Sequence, residues 1–175
     1  MEERDVIQLL RHYRHDLLNQ LQIVDGYLSM EKTDKARTKL LDYTKHLQEE
    51  SKLVNLNAPS FALYVLQLDT LYPNFRSAYS IHTHDRDLQH VDSLLVEYCK
   101  KVMAITDHMT DTMELYDIHL HVHDRSADMI QLELRMNGKF PDLPALNEKI
   151  NNAGKMVTVL EHGNDIVCTI DIPCK

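Results

Sequence analysis

The sequence predicts an α+β chain: an N-terminal helical hairpin that pairs with a second copy into a four-helix bundle, then an α/β sandwich of helices on a sheet. Three observations predict it. Apolar residues recur in steps of four and three through the first 56 residues, strict two-residue alternation begins only after residue 114, and Asn57-Ala58-Pro59 separates the two regimes. The expected domains are residues 1–57 and 58–175. A chain of 175 residues holds one domain or two small ones on a prior of about 150 residues each.

From Glu3 to Met30 there is no proline, and Val6, Leu10, Tyr13, Leu17, Leu21, Val24 and Leu28 form one apolar seam, which means helix. Thr33 or Asp34 can cap a second helix, about Lys35–Leu56, whose seam is Ala36, Leu40, Leu47 and Val54. Two long helices joined by so short a turn pack antiparallel, and the half-covered seams call for a second copy. Beyond Pro59 the expected elements are a helix near Ser60–Leu71, a strand near Tyr79–His84, and a helix near Asp92–Met109 with Leu95, Tyr98, Val102 and Ile105 inward. Leu115–His123 sets Ile118, Leu120 and Val122 against histidines at 119, 121 and 123. Ile130–Met136 alternates again after a loop at Asp124–Asp128, so both read as half-buried strands. A helix around Leu143–Asn152 precedes a closing hairpin, Met156–Glu161 and Asp165–Ile172, turning at Gly163-Asn164.

Composition narrows the chemistry. Hydrophobic residues at 43% and charged residues at 26% are ordinary globular usage, which excludes disorder. A net charge of −8 argues against nucleic-acid and anionic-membrane partners. Four glycines, none close to another, cannot build a phosphate-cradling loop. No apolar run is long enough to span a bilayer and the acidic start lacks signal-peptide order, so a cytoplasmic location is expected. Cys99, Cys168 and Cys174 show no C-x-x-C spacing and are expected to be reduced. His119, His121 and His123 fall on one side of a strand. At about 6.5–7 Å per same-side step they are too stretched for a compact metal site without a further ligand. A solvent-facing sheet surface is expected there, with no metal.

The candidate site is on the first helix. With His15 at zero on a wheel of about 100° per residue, the seam falls at about 160–240°, so His15 points away from it. On the same wheel Arg11, Asn19, Gln22 and Gly26 lie within about 40° of His15, Leu18 at about −60° and Asp16 at about +100°. An exposed imidazole, with an ordinary pKa of about 6.5, is largely a neutral nucleophile at cytosolic pH and can attack phosphorus.

The string Arg14-His15-Asp16-Leu17-Leu18-Asn19-Gln20-Leu21-Gln22 resembles the R-H-D-x-x-N-x-L-Q phosphoacceptor motif of the sporulation initiation phosphotransferase B family. Ser51-Lys52-Leu53-Val54-Asn55-Leu56 followed by Pro59 resembles that family's second-helix end, and the whole chain follows its plan. The same signature resembles citrate-type and dicarboxylate-type sensor histidine kinases. Those bind ATP through an asparagine-bearing helix, a D-x-G-x-G turn and a glycine-rich lid, and none of the three is visible here. The second domain is therefore expected to resemble a degenerate histidine-kinase ATPase domain.

The resemblance implies a homodimeric histidine phosphotransferase of a sporulation phosphorelay. His15 would take a phosphoryl group from the aspartyl phosphate of a single-domain response regulator and pass it to the aspartate of a second, DNA-binding one. Asn19, Asp16 and Arg14 would assist at His15, while Arg11, Leu18 and Gln22 would contact the partner. No cofactor is expected on this chain, Mg²⁺ coming from the response regulator's acidic pocket. The rivals are an ATP-dependent histidine kinase and a non-catalytic module that binds response regulators.

Overall fold

A computed structural model describes residues 3–83, 86–162 and 165–174. The chain divides into two compact units, Met1–Glu50 and Ser51–Lys175.

The first unit is the hairpin of α1 (Glu3–Ser29) and most of α2 (Thr33–Val54). α1 closes with two bonds: the Lys32 N–H donates to the Tyr27 carbonyl at 2.8 Å and the Glu31 N–H to the Leu28 carbonyl at 2.9 Å. Glu31 takes the left-handed conformation this helix ending requires, with φ of 58°. The Lys32 carbonyl accepts the first bond of α2, from the Ala36 N–H at 3.1 Å. Lys32 is thus the capping position, and Thr33 and Asp34 lie inside the helix, where the Asp34 charge favours its positive end. The helices run antiparallel: Tyr13 on α1 lies beside Tyr43 and Glu50 on α2, and burial together with Glu50 raises its phenol pKa. Of the expected seam, Leu17, Val24 and Leu47 are half-buried and Ala36 is buried, whereas Val6, Leu10, Tyr13, Leu21, Leu28, Leu40 and Val54 remain exposed in the single chain.

The second unit begins with the last turn of α2. Leu53 and Leu56 are buried in its core, while Val54, the residue expected inward there, faces out. The expected single helix from Ser60 to Leu71 is two, α3 (Pro59–Leu66) and α4 (Leu68–Leu71), broken at Gln67. Then follow β1 (Phe75–His82), a 3-10 turn at Gln89–Val91, α5 (Asp92–His108), β2 (Tyr116–Ser126), β3 (Met129–Asn137), α6 (Leu143–Asn151), β4 (Val157–His162) and β5 (Asp165–Pro173). β1 starts earlier than expected. The loop expected at Asp124–Asp128 is mostly strand, with a register irregularity between Asp124 and Ser126. The Gly163-Asn164 turn and His84 lie outside the described residues.

The sheet order is β1-β2-β3-β5-β4, with β1 parallel to β2 and the remaining pairs antiparallel. Alternation sorts the faces. Ile81, Val122, Leu132, Ile170 and Val157 make one cross-strand row toward the core, and Leu120, Leu134 and Cys168 make the next. Against that face α5 buries Leu95, Cys99, Val102, Met103 and Thr106, and α6 buries Leu146 and Ile150. Tyr98 and Ile105 are only partly covered. All three cysteines are free, and burial raises the Cys168 thiol to about 12.

Asp92, first residue of α5, is a buried carboxylate with a defined duty. It accepts from the backbone N–H of Phe61 at 2.7 Å and of Ser60 at 3.0 Å, capping α3. The other close fit is Gly138. A side chain there would collide with the ring of buried Tyr116, whose hydroxyl donates to the Lys139 carbonyl at 3.0 Å.

Candidate functional site on the first helix

α1 holds His15 roughly midway along its length, on a stretch with no proline or glycine before Gly26, so the backbone is continuous helix beneath it. The side chains of His15 and Asp16 are each 70% exposed. Arg11, Arg14, Leu18 and Gln22 are exposed as well, and Asn19 is half-buried. One turn further on, a Cβ placed on Gly26 would meet nothing within 4 Å, so no side chain obstructs that part of the helix surface.

Two neighbours converge on one ring nitrogen. Asp16 Oδ1 and Asn19 Nδ2 each stand 3.2 Å from His15 Nδ1. The two contacts ask for opposite tautomers: a carboxylate accepts a proton carried on Nδ1, whereas the Asn19 amide can donate only to a bare Nδ1. A protonated Nδ1 is favoured by the charge-assisted bond to Asp16, and the Asn19 amide can then offer its oxygen after a flip. That tautomer leaves the lone pair on Nε2. Among the described residues nothing is bonded to Nε2, so a nucleophilic nitrogen faces solvent at the end of an oriented ring. The carboxylate contact to Nδ1 is a detail the wheel missed, because it treats side chains as radial spokes and separates Asp16 from His15 by about 100°.

Among the described residues, no group of three or more His, Cys, Asp or Glu side chains is placed to hold a metal ion. Among the described residues Asp16 is the one carboxylate in contact with His15, and Arg11 and Arg14 lie within a turn of it in sequence. A divalent cation prefers several oxygen ligands with carboxylates among them, and the described contacts of His15 include a single carboxylate. Among the described residues no helix is long and apolar enough to cross a membrane.

Comparison with known proteins agrees with the motif. Residues 1–56 match the family described as Sensor_kinase_SpoOB-type, alpha-helical domain. A curated relative, sporulation initiation phosphotransferase B of Bacillus subtilis (strain 168), is 27% identical over 159 residues, covering 89% of this chain and 82% of the relative. Among solved structures, histidine kinase ThkA in complex with response regulator protein TrrA is 14% identical at a TM-score of 0.44, covering 99% of this chain and 64% of that one. The histidine kinase domain of the blue-light activated kinase from Erythrobacter litoralis EL346 is 11% identical at 0.48, covering 67% of this chain and 61% of that one. Likeness at those scores says nothing about chemistry.

Proposed function

We propose, from the match of residues 1–56 to the SpoOB-type helical family and the 27% identity to sporulation initiation phosphotransferase B over 89% of the chain, that this protein is a histidine phosphotransferase of a phosphorelay. His15 takes a phosphoryl group from the aspartyl phosphate of a single-domain response regulator and delivers it to the aspartate of a DNA-binding one. The observation that carries this reading is the exposed His15 ring with Asp16 at Nδ1 and Nε2 unencumbered.

The step balances without a nucleotide. The Nε2 lone pair forms the N–P bond as the P–O bond of the acyl phosphate breaks, and the donor carboxylate leaves with the electron pair. The ring keeps its Nδ1 proton and becomes cationic, and the Asp16 carboxylate balances that charge. In the second half an acceptor carboxylate attacks phosphorus and the neutral imidazole leaves. Transfer of this kind depends on in-line positioning and charge neutralisation. Arg14 and Arg11 supply positive charge near the travelling phosphoryl group, and Asn19 offers a hydrogen bond on the same face. Leu18 and Gln22 extend that face toward the partner. The Mg²⁺ such a step uses is assigned to the response regulator, since the residues around His15 do not fit one.

Mixing the chain with a response regulator carrying labelled aspartyl phosphate tests the reading. The expected result is acid-labile, base-stable label on His15, passed on to a second regulator and absent in His15→Gln. Label arriving from ATP with no regulator present would instead favour the kinase, and regulator binding that persists without any label would favour sequestration.

A further inference from the structure

The sheet face opposite the helices carries a second histidine cluster that the phosphorelay does not use. Read along the strands alone, His119, His121 and His123 lack a further ligand within reach. The fold brings one: His82 on β1 stands in register with His123 on β2 across the parallel pair. Its ring centroid lies 5.1 Å from that of His123 and 6.0 Å from that of His121, and His121 and His123 are 5.6 Å apart. A metal bound at about 2.0–2.1 Å by three imidazole nitrogens at tetrahedral angles sets the ring centres about 5 Å apart, so this triangle has the required size.

We propose that His82, His121 and His123 form a surface site for a divalent transition metal of the zinc class. The three ring planes lie within 8–16° of parallel, and among the described residues no group of three His, Cys, Asp or Glu side chains is placed to hold a metal ion as the rings stand. Rotation of the rings about χ2, which leaves their centres nearly in place, turns the nitrogens inward. All three lie at the surface, His82 exposed and the other two half-buried; His121 also stacks on the His119 ring at 4.0 Å, and turning it gives up that contact. Each ring must also be neutral to ligate, so binding competes with protons. His119 stands outside the triad, with its Nε2 2.9 Å from the Ser80 hydroxyl. Three protein ligands leave the fourth position to water.

The test is titration calorimetry of the full chain, stripped of metal, with zinc chloride near pH 7.5. One zinc per chain at micromolar affinity or tighter is expected. His82→Gln and His123→Gln should each weaken it at least about 10-fold, while His119→Gln and His15→Gln leave it within about two-fold. Cobalt(II) should give the visible absorption of a tetrahedral site in the wild type and lose it in His82→Gln. Binding weaker than about 100 µM, binding that survives both His82→Gln and His123→Gln, or binding lost in His119→Gln or His15→Gln overturns the proposal.

Discussion

At the scale of single residues, the imidazole of His15 is defined by what holds its rear nitrogen. His15→Gln should abolish transfer while leaving the thermal midpoint unchanged within a degree or two, because a side chain 70% exposed contributes little to folding. Asp16→Asn keeps the shape and removes the charge, so the Nδ1–H tautomer loses its preference. Labelled transfer should slow by about 10- to 100-fold with regulator binding unaltered, a split that rapid-quench kinetics separates. His121 tests electrostatics elsewhere. Burial first, then His119, His123 and Arg135, hold its pKa down at about 4, with Glu133 opposing. An unfolded histidine takes up its proton near pH 6.5, so the unfolded chain binds more protons between about 6.5 and 4. The stability contribution is therefore present above pH 6.5 and is lost as pH falls through about 4. Urea midpoints at pH 7 and pH 5 should fall further apart in the wild type than in His121→Gln. The motif around His15 was legible because its residue types and spacing are specific. The contact of Asp16 was not, since it depends on rotamers that spacing does not encode.

At the scale of elements, the strand pattern carried most of the fold. The alternation of Ile118, Leu120 and Val122 is the buried row of β2, because a sheet covered by helices on one face must put every second residue inside. What alternation cannot show is which strand lies beside which. The parallel pairing of β1 with β2, and with it the approach of His82 to His123, is a product of chain topology. The capping of α3 by Asp92 was equally hidden, since a cap supplied from 31 residues away leaves no local signature. Asp92→Ala should destabilise the chain by about 2–3 kcal/mol, read as a shift in urea midpoint, because two helix-end N–H groups lose their acceptor, the one of Phe61 in a buried place. Asp92→Asn, which keeps one acceptor oxygen, should cost about half of that. Gly138→Ala should be destabilising as well. Its new methyl meets the Tyr116 ring, which cannot retreat while its hydroxyl is bonded at Lys139.

At the scale of the whole molecule the question is what covers the hairpin. The second unit closes a core of its own, from Leu53 to Ile172. The first does not: Ile7, Leu10, Leu21 and Leu28 on α1 and Leu40 and Leu41 on α2 are each about half exposed, and among its described residues only Ala36 is buried. Two isolated helices are marginal in water, and most helical stability comes from packing an apolar stripe. We propose that a second copy covers this stripe through a two-fold axis, turning two hairpins into a four-helix bundle. Sedimentation equilibrium at micromolar concentration should give twice the chain mass of 20.4 kDa. Leu10→Glu with Leu21→Glu places two charges per chain in that seam. It should return the mass to one chain and reduce the helical signal in circular dichroism, while the second unit keeps its cooperative unfolding. A wild-type mass that stays at one chain across a hundredfold range of concentration would leave the hairpin's apolar surface to some other partner. His15 would then stand on a helix stabilised differently from the one its seam implies.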